Sequence, residues 1–304
     1  MRVFVTGATG FIGAAVVQEL IGAGHQVLGL ARSDAAARSL AAAGAEVHRG
    51  ALDDVDSLRR GAAGSEGVIH TAFIHDFSKM TAAAETDRLA IEAVGAVLAG
   101  SDRPFVVTSA IGLLGQGRIR TEEDLPDPGS AGAHRIASEG AALALASRGV
   151  RVSVVRLPPS VHGDGDHGFV PALIRTAREK GVSAYLGEGR NRWPAVHRLD
   201  AARLYRLALE KGPAGARFHC VAEEGVPTRD IADIIGRRLN MPVVSKPAEQ
   251  AASHFAWLGR FFAIDVPASG ARTQEQLGWS PRQPGLLDDL ERGTYFETAG
   301  AHGS

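Results

Sequence analysis

The sequence predicts an α/β fold built on a doubly wound parallel sheet, and three observations carry that prediction. Short apolar runs such as Val3–Val5 alternate with longer segments whose apolar residues recur at helical spacing. The runs are apolar throughout rather than at every second residue, as in strands covered by helices on both faces. A glycine-rich turn, Gly7-Ala8-Thr9-Gly10-Phe11-Ile12-Gly13, joins the first run to the first helix.

Taken in order, strands are predicted over Arg2–Thr6, Gln26–Ala31, Glu46–Arg49, Gly67–Thr71, Arg103–Thr108 and Arg151–Arg156. Helices fall between them near Phe11–Ala23, Asp34–Ala43, Val55–Ala63, Ala83–Ala99 and Ala131–Ser147. This is a Rossmann-type layout, whose ligand lies beyond the carboxyl ends of the strands. Residues 1–160 form the predicted dinucleotide-binding core, and 161–304 a small, mostly helical substrate-side region with some segments returning to the core. In that second part, Pro158 and Pro159 predict a rigid loop, and the helices are expected at Pro171–Lys180, Ala201–Leu209, Thr228–Leu239, Ala248–Phe262 and Leu286–Tyr295. Residues 299–304 read as a loose tail.

The glycine spacing carries the first functional expectation. Gly7 permits a tight turn, Gly10 lets a pyrophosphate approach the backbone, and Gly13 lets helix and strand pack closely. A helix starting there aims free N–H groups at a phosphate. At the end of the second strand, where the adenosine ribose arrives, the chain reads Ala31-Arg32-Ser33 with no acid before Asp34. A cation there accommodates a 2′-phosphate, so NADP(H) is preferred and NAD(H) stays open.

Composition excludes other classes. Net charge is −1, with no block of like charge, so there is no electrostatic footprint for nucleic acid or anionic membrane. The single cysteine, Cys220, forbids an internal disulfide and suits a reducing compartment. No apolar run is long enough to span a bilayer, and the first strand begins too early for a signal peptide, so a cytoplasmic location is expected. The loop Gly163–Gly168 is rich in aspartate but lacks the twelve-residue calcium pattern, and no metal site is predicted. The expected partner is a small-molecule substrate, and the aromatic stretch 255–262 leaves room for a homodimer.

The run Thr6-Gly7-x-x-Gly10-x-x-Gly13 resembles the extended and atypical short-chain dehydrogenase/reductases, the NAD(P)-dependent epimerase/dehydratase-like group. The resemblance extends over most of the chain. It implies cofactor contacts at Gly7, Thr9, Gly10, Phe11, Ile12, Gly13, Arg32 and Ser33, and at Leu52 after the third strand, where Ala51 aligns with the usual acid near the adenine, so that either Asp53 substitutes or backbone groups alone hold the base. It further implies contacts at Thr71, Ala72 and Phe73 after the fourth strand, Thr108 on the fifth and Pro158 after the sixth.

The same resemblance exposes a departure. Such enzymes use a Tyr-x-x-x-Lys pair, in which the lysine lowers the tyrosine pKa and holds the ribose while the tyrosine moves the proton. The ungapped alignment puts Ala131 and Arg135 at those positions; a register one residue earlier puts Ser130 and His134 there. Arg135 keeps a cation, but the phenol has no replacement. The catalytic hydroxyl of the fifth strand falls on Ala110, or on Ser109 after a one-residue slip. Ser109, Arg135, His75 and His134 are therefore the catalytic candidates, with His162 a further candidate acid, and His75, His162, Arg192, Trp193 and His197 the substrate-facing ones. Asp76 and Phe77 follow His75 at the mouth of the expected cleft. The leading expectation is an NADP(H)-dependent oxidoreductase acting on a small carbonyl or alcohol. An epimerase, dehydratase or lyase using the cofactor transiently, and a non-catalytic NAD(P)-binding sensor, are the alternatives.

Overall fold

The computed structural model describes residues 1–76 and 79–297, so Phe77 and the tail beyond residue 297 lie outside the described residues. The first half alternates as expected: β1 (Arg2–Thr6), α1 (Phe11–Gly22), β2 (Gln26–Ala31), α2 (Asp34–Ala42), β3 (Glu46–Arg49), α3 (Val55–Ala63), β4 (Gly67–His70), α4 (Met80–Leu98), β5 (Pro104–Ala110), α5 (Ile136–Ala144) and β6 (Arg151–Leu157). The second half adds β7 (Ser160–His162), α6 (Phe169–Lys180), β8 (Ser183–Leu186), β9 (Arg192–His197), α7 (Arg198–Lys211), β10 (Ala216–His219), β11 (Glu223–Pro227), α8 (Thr228–Leu239) and β12 (Val243–Lys246). Four short helices follow: α9 (Ala251–Phe255), α10 (Gly259–Phe262), α11 (Ala271–Leu277) and α12 (Leu286–Arg292).

The main sheet has seven strands in the order β10-β6-β5-β4-β1-β2-β3, every pair parallel. The order reverses at β1, and the crevice between the loops after β1 and β4 is where such a sheet binds ligand. One face is covered by α1, α2 and α7, through Val16, Leu20, Leu40, Leu204 and Tyr205. The other is covered by α3, α4 and α5, through Leu58, Ile91, Val94 and Ala142. Residues 198–219 return to this core, α7 against α1 and β10 as an edge strand.

The remainder differs from the sequence expectation in being less helical. A three-stranded sheet, β11-β9-β7, and a parallel pair, β12-β8, surround a second apolar core that contains Trp193, Phe255 and Phe262. The expected rigid loop after Pro159 is in fact strand β7, since the prolines precede it and Ser160–His162 keep their N–H groups for pairing beside β9. The single helix expected over 248–262 is broken at Ala256, whose φ of +50° no helix accommodates. The helix expected over 131–147 begins instead with a 3₁₀ turn at Ala133–Arg135, so Arg135 enters α5 as its cap residue. Thr228 starts α8 but does not cap it; its hydroxyl donates to Asn191 Oδ1 at 2.6 Å.

Candidate dinucleotide and catalytic site

The glycine turn has the tightness that only glycine allows. Gly7 sits at φ +68°, and a Cβ on it would lie 2.6 Å from Ala72 N; one on Gly13 would lie 2.0 Å from Gly7 O. Both contacts are with backbone and cannot yield. Gly10 supplies the extended N-cap of α1 without a side-chain bond, and the helical ladder begins at Ala14 N to Gly10 O, 2.8 Å. The N–H groups of Phe11, Ile12 and Gly13 precede that ladder, the arrangement that holds a pyrophosphate. The turn is pinned to β4 by Thr71 Oγ1, which donates to Thr6 O at 2.8 Å. These residues fit a dinucleotide: the cradle is one a side chain would fill.

At the end of β2, Arg32 is exposed, and among the described residues its guanidinium has no hydrogen-bond or ion-pair partner. Ser33 caps α2, accepting from Ala36 N at 3.2 Å, which leaves its O–H free to donate. The nearby acid is neutralised elsewhere, because Arg49 donates to Asp34 Oδ1 at 2.5 Å. Leu52 is half-buried against the α3–α4 core, and Pro158 is buried beside the end of β6.

A buried polar chain runs beneath the switch point. Thr6 Oγ1 lies 2.8 Å from His70 Nδ1, and His70 Nε2 lies 3.1 Å from Asp87 Oδ1. A carboxylate only accepts, so in the neutral ring Nε2 carries the proton and Nδ1 accepts the Thr6 hydroxyl. Asp87 Oδ2 is 3.7 Å from Arg135, and Arg135 in turn donates to Thr108 O at 2.6 Å. Burial raises the Asp87 carboxyl, but the His70 hydrogen bond and the Arg135 charge outweigh it and hold the group below its usual range. Arg135 is thereby fixed, 7 % exposed, with its guanidinium 4.0 Å from the centre of the Phe73 ring.

Two imidazoles share that ring. His75 lies edge-on to Phe73 at 5.2 Å, and the His134 ring is tilted to it by 41° at 6.3 Å. Desolvation first, then the Arg135 charge, pulls the pKa of both below the ordinary histidine value; Arg260 adds to the effect on His134. Four of the residues picked from sequence, Phe73, His75, His134 and Arg135, thus meet at one place.

Other candidates are committed elsewhere. Ser109 is buried, and its hydroxyl donates to Glu139 Oε2 at 2.7 Å, inside a fully buried pair in which Arg156 donates to Glu139 Oε1 at 2.6 Å. The structure therefore turns Ser109 away from the cleft. Thr108 donates its hydroxyl to His70 O and meets the buried Tyr205 hydroxyl, both at 2.7 Å, so this side chain also faces inward. Trp193 has no exposed surface and is a core residue, packed against Phe169 and Phe262. Arg192 is held by Asp265 at 3.0 Å. His162 and His197 stand edge to face at 5.3 Å, with His162 Nδ1 2.8 Å from Asp289 Oδ2. They belong to the contact between β7 and α12 rather than to the Phe73 group.

Sequence reasoning missed Asp87. An acid in the apolar stripe Ala83, Ala84, Asp87, Ala90, Ile91, Val94 was the signal, since a buried carboxylate requires a partner. Among the described residues no group of three or more His, Cys, Asp or Glu side chains is placed to hold a metal, and no helix is long and apolar enough to cross a membrane.

Fold and site together define a nicotinamide-dinucleotide-binding α/β protein. Residues 3–220 match the NAD dependent epimerase/dehydratase family, and the chain belongs to it. It is 50% identical over 97% of its length to the whole of an uncharacterized protein of Schizosaccharomyces pombe. It is also 28% identical to a 4-hydroxy-2-methyl-3-oxo-4-farnesyl-3,4-dihydroquinoline-1-oxide ketoreductase of Stigmatella aurantiaca, over 84% of this chain and 79% of that one. Among solved structures, a dTDP-glucose 4,6-dehydratase of Streptomyces venezuelae with bound NAD has a TM-score of 0.77 at 22% identity, covering 96% of this chain and 95% of the other. The likeness to that structure is one of fold.

Proposed function

We propose that the protein is an NADP(H)-dependent oxidoreductase that interconverts a small carbonyl compound and its alcohol, with His134 as proton donor in place of the tyrosine. The observation that carries this reading is the convergence of His134 and Arg135 on Phe73 beyond β4, while the hydroxyls of Thr108 and Ser109 both point into the protein. When bound, the dinucleotide supplies or accepts a hydride at the nicotinamide C4.

The chain's own residues do the rest. The turn Gly7–Gly13 holds the pyrophosphate, with Thr9 at its exposed tip, and Arg32 with Ser33 holds the 2′-phosphate. Arg135 is a positioning cation, locked by Thr108 O and Asp87, with donors left for ribose hydroxyls. Thr71 and Ala72 wall the same crevice, and Phe73 supplies a flat apolar face. His134 gives its ring proton to the carbonyl oxygen in reduction and takes it back in oxidation. Its lowered pKa makes the imidazolium a stronger acid than free histidine, at the cost of a smaller protonated fraction at neutral pH. The ketoreductase similarity supports a carbonyl substrate over a sugar-nucleotide one.

The test is to mix the protein with NADPH and a panel of aldehydes and ketones and follow the nicotinamide absorbance. Steady loss that His134→Gln abolishes and His75→Gln does not supports the assignment. Turnover retained in His134→Gln overturns it. Tight NADPH binding with no turnover over the panel replaces it with the sensor reading.

A further inference from the structure

Beside the glycine turn stands a cation to which no role has been assigned, Arg198, the first residue of α7. It is half-buried, and among the described residues it makes no hydrogen bond or ion pair. Its guanidinium lies 5.2 Å from the centre of the Phe11 ring, and Phe11 is the first residue of α1. An arginine without a carboxylate, held against an aromatic face at a helix start, is a charge awaiting a partner.

The packing of the two helices puts it there. Helix α7 runs from the end of β9 back to the start of β10, which is parallel to β6, so α7 and α1 both begin at the ligand-binding edge of the sheet. Two turns further in, Arg206 donates to Glu19 Oε1 at 2.7 Å and to Glu210 Oε2 at 2.9 Å, while His25 lies 3.0 Å from Glu210. The offset between Glu19 and Arg206 is the same as that between Phe11 and Arg198. This polar staple thus fixes the register that brings the two first residues together.

The loop 163–168 closes the far side. His167 lies edge-on to Phe11 at 5.7 Å, and a Cβ on Gly165, at φ +82°, would lie 3.7 Å from Arg198 Nη1. The loop's carboxylates are occupied: Asp164 accepts from Thr294 Oγ1 at 3.0 Å, and Asp166 accepts from Gly168 N at 2.7 Å and from the Tyr295 hydroxyl at 3.0 Å. Neither carboxylate is hydrogen-bonded or ion-paired to Arg198.

We propose that Arg198 pairs with the pyrophosphate of the bound dinucleotide, completing from α7 the anion site that the N–H groups of Phe11 and Ile12 open from α1. The inference rests on the dinucleotide reading above. It makes α7 a part of the cofactor site.

Calorimetry tests it with three ligands: NADPH, NADH, and adenosine 2′-monophosphate, which has the 2′-phosphate but no pyrophosphate. Arg198→Ala is expected to weaken both dinucleotides alike, by about tenfold or more, the scale of a lost charge-assisted hydrogen bond. It is expected to leave adenosine 2′-monophosphate unchanged, and Arg198→Lys recovers part of the loss. The inference is overturned if Arg198→Ala, with unchanged circular dichroism and melting, binds both dinucleotides as the wild type does. It is also overturned if the variant loses all three ligands equally. A wild type that binds neither dinucleotide overturns the functional reading itself, and this inference with it.

Discussion

Replacing Arg135 with methionine keeps the length of the side chain and removes its charge, and the buried chain sets the consequence. The substitution deletes the 2.6 Å bond to Thr108 O and the cation 3.7 Å from Asp87, leaving that fully buried carboxylate with the His70 hydrogen bond. Removing one partner of a buried pair costs about 3–5 kcal/mol, and because His70 still holds Asp87 the lower end, about 3 kcal/mol, is expected here. Urea denaturation followed by tryptophan fluorescence measures it as a lower midpoint at unchanged slope. The double variant Asp87→Asn with Arg135→Met is expected to regain at least about 1 kcal/mol over the sum of the single effects. Wild-type stability in Arg135→Met, or strict additivity in the double variant, contradicts a stabilising charge pair between Asp87 and Arg135. The pH dependence has a definite sign. The folded-state pKa of Asp87 is lowered, so its contribution is complete above the unfolded carboxylate value of about 4 and disappears as pH falls through the folded value. Asp87→Asn therefore flattens the acid limb of the stability curve.

Three further outcomes are expected. Arg32→Ala weakens NADPH by about 10–100-fold while NADH changes by less than about twofold, since only the former carries the 2′-phosphate; equal weakening of both removes that assignment. Gly13→Ala forces a Cβ to within 2.0 Å of Gly7 O, so it is expected to lower the melting temperature and abolish calorimetric NADPH binding, and a variant that binds normally contradicts the described turn. In the reduction direction kcat is expected to fall as pH rises through a value below the free-imidazole pKa of about 6.5, because desolvation and then Arg135 lower the His134 pKa and the protonated ring is the donor. His134→Gln removes that limb, whereas a limb retained in it assigns the group elsewhere.

Much of the dinucleotide half was legible because its signals are local. A strand covered on both faces reads as an uninterrupted apolar run, and Gly7, Gly10 and Gly13 mark the turn whose backbone contacts forbid a side chain. The strand bounds at Arg2–Thr6, Gln26–Ala31 and Glu46–Arg49 agree with the structure for that reason. The second half was less legible because its strands are only three to six residues long and take their shape from partners distant in sequence, as β7 does from β9. The break at Ala256 has no glycine or proline to announce it; it is set by the packing of Phe255 and Leu258 into the core around Trp193.

The site was half legible for a related reason. Residue type picked out His75, and alignment with the family His134 and Arg135, which meet with it on Phe73, but the same two routes also picked out Trp193 and Ser109. Whether a hydroxyl faces a cleft or a buried carboxylate depends on Glu139, thirty positions away, and no periodicity in β5 reports it. Tyr205 illustrates the converse: its phenol is fully buried and its pKa is raised by desolvation, so it supports Thr108 and does not donate a proton to substrate.

The glycine turn and Arg32 are proposed to hold a phosphorylated nicotinamide dinucleotide. Titrating the protein into NADPH and reading the nicotinamide fluorescence tests it directly. Enhancement that saturates at one nucleotide per chain, with NADH requiring a higher protein concentration, is the expected result. No change with either nucleotide, or tighter binding of NADH, contradicts it.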